Sequence, residues 1–286
     1  MPERFNFPSR ACSDKPPAMN RTGLLIALVL LAAILVIFGI WPELDLKLAA
    51  LFYSPDAGGF AYSGLPYAQF ARHAAMWIAW AFVAPSILAL IVKLIWPNRP
   101  LMVKGRTMAF LVITMLMSAG FLTNFTFKSF WDRPRPVSVT EFGGPWQFKA
   151  WWDPSGECRR NCSFFSGEGA TAFWTYAPAA LAPPSLRPAA YAAATVFGLA
   201  TSGWRMAFGG HFFTDVTIAG LASFLVIWLV HGWIYRWPRT RMTDEGIDRW
   251  LTKIAWPGYA WRRRMLSGRN PPKPTLGNRI TEQHHD

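Results

Sequence analysis

Three polar runs interrupt an otherwise apolar chain, and each holds residue types suited to handling an anion. The first is KSFWDRPRP, residues 128–136. Lys128 and Arg135 stand seven residues apart with Arg133 between them. Pro134 and Pro136 bar a regular helix and hold both arginines in extended backbone. Arginines fixed in this way suit bidentate capture of phosphate oxygens, and lysine adds a point charge. Snorkelling cations at the end of a membrane helix give the same composition. The second run is CSFFSGEGA, residues 162–170. Ser166 and Gly167 stand where a helix begins, and small residues there leave backbone N–H groups open to an anion. An ordinary helix N-cap reads the same way. The third run is WRMAFGGHFFTD, residues 204–215. His211 and Asp215 are four apart at a helix start, hence on one face. A carboxylate there can hold one imidazole nitrogen and leave the other free to attack. A His–Asp hydrogen bond without chemistry is the plainer alternative.

The elements that must carry these runs are membrane helices. Of 286 residues, 52 % are hydrophobic and 16 % charged, against about a quarter charged in soluble domains. Gly23–Trp41 carries no charge and has the ~20 residues needed to cross the hydrocarbon core. It is long for a signal peptide and lacks a small-x-small cleavage site. Further spans are expected near Ala74–Trp96, Met108–Phe127, Gly169–Pro183, Ala189–Ala207 and Asp215–Trp237. The fold class is therefore all-α, a polytopic membrane protein with six transmembrane helices. Between the first two spans, LDLKLAALFY has the spacing of a short interfacial helix. An amphipathic stretch follows the last span at Ile247–Trp261, and the chain beyond Ser267 has a disordered composition. The organisation is a cytoplasmic segment 1–22, a six-span unit 23–237 with its motifs in 108–237, and a basic cytoplasmic tail 238–286.

Charge sets the orientation. The net charge is +13, which invites a nucleic-acid reading. Most Lys and Arg residues flank apolar runs, however, as they do when they meet anionic headgroups, so no nucleic-acid partner is expected. They gather before span one, between spans two and three, and after span six. This bias places both termini in the cytoplasm and all three polar runs on the opposite, outer face. Cys158 and Cys162, four apart on that face, are expected to close a small disulfide loop; the alternative is two ordinary loop cysteines. Without further Cys or His at ligand spacing they make a poor zinc site.

Taken together, Lys128, Arg135 and Pro136, then Ser166 and Gly167, then Arg205, His211 and Asp215 resemble the type 2 phosphatidic acid phosphatase superfamily. The pattern is Lys-x6-Arg-Pro, Ser-Gly, Arg-x5-His-x3-Asp, and it covers roughly Met108–Trp237. The resemblance implies hydrolysis of a phosphomonoester without metal or other cofactor. By it, His211 attacks phosphorus and becomes a phosphohistidine, Asp215 orients the ring, and Lys128, Arg135, Arg205 and the Ser166–Gly167 amides stabilise the charged oxygens. Water then releases phosphate. Arg133 is an additional candidate for the phosphate.

Two positions depart from the family pattern. Glu168 stands where a histidine usually donates a proton to the leaving group, and Trp204 precedes Arg205 where a serine is usual. A helix start and nearby cations favour an ionised carboxylate, which cannot donate. Glu168 is thus expected either as general acid, as a ligand of substrate hydroxyls, or as a brace for Arg205. The Ser-Gly-Glu form, with Phe142–Gly144 and the cysteine pair, looks like bacterial lipid A phosphatases. The expected substrate is a phosphorylated membrane lipid, lipid A with the 4′-phosphate favoured over the 1-phosphate, in the inner membrane of a bacterium. Phosphatidic acid, phosphatidylglycerol phosphate and undecaprenyl diphosphate are alternatives, as are a lipid phosphotransferase and a non-enzymatic membrane scaffold. Six apolar spans argue against a vanadium haloperoxidase. Oligomeric state is not legible.

Overall fold

A computed structural model describes residues 21–56, 58–60, 62–268 and 271–272. The expected segment 1–22, the chain beyond Ser267 and Cys12 lie almost wholly outside the described residues. Helix α1 (Arg21–Ile40) runs 20 residues with no charge after Arg21, about 30 Å at 1.5 Å per residue. Pro42 ends it, and α2 (Glu43–Ala50) follows, as LDLKLAALFY predicts. A two-residue hairpin pairs β1 (Tyr53–Ser54) with β2 (Gly59–Phe60). Helix α3 (Pro66–Ile95) opens on proline, which suits the first helical turn, and begins eight residues before its expected start.

Helix α4 (Gly105–Met115) passes into a π-helical stretch, Leu116–Phe127, and ends in the single turn α5 (Lys128–Phe130). Side-chain hydroxyls loosen this stretch. Ser118 Oγ donates to Thr114 O, and Thr123 Oγ1 donates to Ser118 O five residues back, so both compete with the amide ladder. An irregular loop then runs to Ser166, where α6 (Gly167–Phe173) starts.

The expected fourth span is not one helix. Pro178 has no N–H to bond Trp174 O, and Ala177 N–H takes that carbonyl instead at 2.8 Å. The segment therefore breaks at Trp174–Thr175 into α6 and α7 (Tyr176–Ala180). Helix α8 (Arg187–Ala207) has 21 residues. Helix α9 (Phe213–His231) is prolonged by a π-turn to Arg236, and α10 (Asp244–Ser267) contains the predicted amphipathic stretch.

Among the described residues, four helices are long and apolar enough to cross a membrane: Arg21–Ile40, Pro66–Ile95, Gly105–Phe127 and Phe213–Arg236. The Ala- and Gly-rich α8 and the broken α6–α7 pair pack among them. Phe173 of α6 lies between Gly198 of α8 and Gly220 of α9. A side-chain carbon at either glycine would come within 2.4–2.5 Å of the ring, so small residues let these helices close on it. The core is lined by Val83, Phe110, Trp174 and Ile227, and Trp174 Nε1 donates to Thr114 Oγ1 at 2.9 Å. This packing fixes the ends of α3, α5, α6, α8 and α9, where the three polar runs meet.

Candidate active site

His211 sits in the short turn between α8 and α9 and is 2 % exposed. Its Nδ1 lies 2.7 Å from the carbonyl oxygen of Ser163. A carbonyl only accepts, so Nδ1 carries the proton and Nε2 keeps its lone pair. Sequence spacing assigned the ring's orientation to Asp215 directly. Asp215 Oδ2 is instead 3.9 Å from Nδ1, beyond hydrogen-bond reach. It acts one bond removed: Oδ2 accepts from Ser163 Oγ at 2.5 Å and from Phe212 N–H at 2.8 Å, fixing the residues on both sides of the imidazole contact.

Arg133 corrects a second expectation. Its guanidinium is fully buried and engages Asp215 Oδ1 at 2.5 Å and Asp45 Oδ2 at 2.8 Å. Nη1 also donates to Thr214 Oγ1, and Nε donates to Lys149 O. With four of its five N–H donors committed and no exposed surface, this guanidinium is not placed to take a phosphate. Asp45 in turn accepts from Thr214 N–H at 3.0 Å and from its hydroxyl at 2.6 Å, so α2 ties the start of α9 to Arg133.

Lys128 and Arg135 remain on the site, held by one residue. Lys128 Nζ donates to Asn161 Oδ1 at 3.0 Å, and Arg135 Nε donates to Asn161 O at 3.1 Å. Asn161 has a left-handed backbone, φ 54°, inside the loop closed by a Cys158–Cys162 disulfide. A carbon placed on Gly167 would lie 3.7 Å from Lys128 Nζ, so the first and second runs meet there. Ser166 contributes less than its position suggests. Its N–H donates to Asp215 O at 3.2 Å and its Oγ accepts from Gly169 N–H at 3.1 Å.

Arg205, 4 % exposed, pairs with Glu168 Oε2 at 3.3 Å. Its guanidinium presses on the residue before His211: a carbon on Gly210 would fall 2.5 Å from Nη2. Glu168 is gripped from the other side by Arg72 of α3, whose Nε and Nη2 both donate to Oε1, at 2.8 and 2.5 Å. The three cations mark the imidazole electrically. Burial lowers the His211 pKa well below its ordinary 6.5, and the charges of Arg205, Arg135 and Lys128 lower it further, against a smaller opposing effect of the Ser163 carbonyl. Lys128 is itself lowered, first by burial and then by Arg135. Burial and Arg72 lower Arg135.

Two clefts flank Glu168. One of about 210 Å³ lies between α3 and α8, walled by Ala71, Ala75, Phe197 and Trp204. The other, about 380 Å³, lies between α3 and the π-helical stretch, walled by Met76, Trp80 and Leu116 and ending at Lys128 and Gly167. Among the described residues no group of three His, Cys, Asp or Glu side chains is placed to hold a metal ion.

The structure thus brings Lys128, Arg135, Gly167, Glu168, Arg205 and His211 together, places Ser166 and Asp215 behind them, and turns Arg133 away. Sequence reading missed Asp45, Arg72, Asn161 and Ser163. An acid in an apolar helix and a cation near a span start were the available signals for the first two. Asn161 and Ser163 flank a motif with nothing in their type to single them out.

The chain that gathers these three motif cations beside an imidazole, at the ends of apolar helices, belongs to the PAP2 superfamily. The superfamily matches residues 107–239. Among characterised relatives, the lipid A 4'-phosphatase of Francisella tularensis subsp. novicida is 31 % identical, over 76 % of this chain and 98 % of its own. Lipid A 4'-phosphatases of Rhizobium leguminosarum and Rhizobium etli are 28 % and 30 % identical, each over 68 % of this chain and over 88 % and 80 % of their own lengths. No solved structure matches.

Proposed function

We propose that this membrane phosphatase removes the 4′-phosphate of lipid A through a phosphohistidine on His211, without a metal ion. The observation that carries the mechanism is the 2.7 Å contact from His211 Nδ1 to the Ser163 carbonyl. It fixes the tautomer, so the neutral ring meets phosphorus through Nε2. The bond from Nε2 to phosphorus forms as the bond from phosphorus to the ester oxygen breaks. Lys128, Arg135, Arg205 and the Gly167 amide take the charge on the equatorial oxygens. Water then attacks phosphorus and returns the electron pair to Nε2, releasing inorganic phosphate. The 4′ position rests on the relatives' names, and apolar clefts beside the cations suit an acylated substrate.

Glu168 fits best as the brace among its three expected roles. Both carboxylate oxygens accept from Arg72, and Arg205 stands against Oε2, so the residue positions two guanidiniums. The proton for the sugar oxygen then comes from solvent.

In the topology that this reading requires, α6–α7 and α8 complete a six-span bundle with both termini cytoplasmic. The site then opens on the periplasmic face of the inner membrane, as the Lys and Arg bias indicates.

The test is incubation of the purified protein with bis-phosphorylated lipid A, phosphatidic acid, phosphatidylglycerol phosphate and undecaprenyl diphosphate, with EDTA present and no acceptor lipid. Mass spectrometry should show loss of the 4′-phosphate and release of free phosphate. Exclusive loss of the 1-phosphate, or inactivity in EDTA, overturns the reading.

A further inference from the structure

We infer that α10 is a docking surface for anionic lipid headgroups, on the leaflet opposite the catalytic site. It rests on the reading of α3 and α4 as membrane spans, and on no step of the chemistry.

The position of α10 follows from how it is tied down. Helix α3 ends at Ile95 and α4 begins at Gly105, so the turn between them marks one membrane surface. Arg72 and Lys128, at the other ends of these two spans, mark the catalytic side. Helix α10 is fastened to the turn along its length. Asp244 Oδ1 accepts from Arg106 N–H at 2.7 Å, and Asp248 pairs with the buried Lys93 at 2.9 Å. Lys93 also donates to the carbonyls of Pro97 and Arg99. Arg262 donates to Ile95 O. Ile247 and Leu251 are buried against Ala89 and Met108. An approach closer than ordinary contact seals the joint: a carbon on Gly105 would lie 2.9 Å from Asp244 O. The helix cannot turn over without breaking these bonds.

Its exposed side is consequently fixed, and an apolar stripe runs along it beside the buried face. Trp250, Ile254, Trp261 and Met265 are 52–70 % exposed. At 100° per residue they fall within about 60° of one another on the helix. Arg249, Lys253 and Arg264 run along one flank of that stripe, and all three are exposed. The acids do not balance them. Asp244 and Asp248 are committed to Arg106 and Lys93, which leaves Glu245 as the one acid of α10 outside the joint and the surface strongly positive. Tryptophan on a stripe with arginine and lysine alongside, held level with the end of two spans, matches the headgroup layer of an anionic leaflet. An acidic protein partner would meet the flank but leave two tryptophans facing water.

The experiment uses the full chain, one copy per nanodisc, with Ile254→Cys carrying an environment-sensitive fluorophore in a Cys12→Ser background. Discs contain phosphatidylcholine alone or with phosphatidylglycerol. Anionic discs should shift the emission to shorter wavelength and shield the label from an aqueous quencher by about twofold or more. Replacing Arg249, Lys253 and Arg264 by Gln should abolish that difference while leaving phosphate release in detergent unchanged. A label equally open to the aqueous quencher in both discs overturns the inference. So does shielding that ignores lipid charge, or that appears only with two copies per disc. Phosphate release is read separately, so a failed docking surface and a failed phosphatase assignment give different results.

Discussion

Arg133 Nη1 and Asp215 Oδ1 stand 2.5 Å apart with neither side chain exposed. This pair, with Asp45 as its second carboxylate, links three parts of the chain: α2, the loop after α5, and the start of α9. Through Ser163 it reaches the imidazole. The His211 imidazole is thus set by a buried ionic joint rather than by one carboxylate touching it. A joint of this kind holds geometry well because each member, once stripped of its partner, is a buried charge.

Arg133→Ala should therefore act first on stability. It leaves Asp45 and Asp215 facing each other without a cation, a change that costs about 3–5 kcal/mol for buried pairs. Thermal unfolding in detergent should show a large drop in midpoint, and a midpoint within error of the parent would refute the joint. Asp45→Asn should show the same direction with a smaller drop, since the amide still accepts from Thr214.

Catalysis by His211 predicts the form of the pH profile. Burial and three cations keep the His211 pKa well below 6.5, so the neutral nucleophile persists as pH falls through 6.5. The acid limb of kcat/KM, corrected for the titration of the substrate phosphate, should lie below that value. Lys128, lowered from 10.5, should set an alkaline limb below 10.5. Stability has a definite sign too. Between the native and unfolded His211 pKa values only the unfolded chain binds the proton, so folding weakens as pH drops below about 6.5. His211→Gln should lose activity by about 1,000-fold or more and lose the acid-side destabilisation with it. An acid limb at or above 6.5 would contradict the assignment.

The sequence carried the site's chemistry better than its supports. Lys128, Arg135, Arg205 and His211 stand out as candidates because phosphate chemistry restricts residue type, and the structure brings the three cations near the imidazole. The supports do not, because distance along the chain hides them: Asp45 is 88 residues from Arg133, and Arg72 is 96 from Glu168. Arg133 was misread because a motif arginine has the same composition whether it faces phosphate or a buried carboxylate. The apolar helices α1, α3 and α9 were plain from hydropathy. The break at Trp174–Thr175 was not, although Pro178 supplies its cause.

Glu168→Gln separates a brace from a general acid. A general acid matters only when the leaving group needs a proton, so its loss should spare an aryl phosphate with an acidic phenol. A brace matters for every substrate. We expect a loss of about 10–100-fold on both lipid A and an aryl phosphate, and a similar pattern for Arg72→Gln. A loss confined to lipid A would restore the acid role.

Gly210→Ala tests the approach of Arg205 to the turn that bears His211. The new methyl would stand 2.5 Å from Nη2, so the guanidinium must move. A displacement near 1 Å at a positioning group costs about 100-fold in rate. Steady-state kinetics should show that loss mainly in kcat with the thermal midpoint nearly unchanged, and retained kcat would mean that Arg205 does not serve the reaction from this position.

The disulfide offers the last test, because it closes the loop that steers two cations at once. Asn161 lies between Cys158 and Cys162 in a left-handed conformation, accepts from Lys128 through its side chain and accepts from Arg135 through its backbone. Opening the loop lets Asn161 relax toward ordinary backbone and releases both contacts together. Reductant should lower kcat/KM by about tenfold, and so should Cys158→Ala with Cys162→Ala. The double variant should then be indifferent to reductant. Asn161→Gly, which keeps the turn but removes the side-chain acceptor for Lys128, should fall between parent and double variant. If reduction leaves kinetics untouched while mass spectrometry confirms free thiols at 158 and 162, the loop does not position the cations.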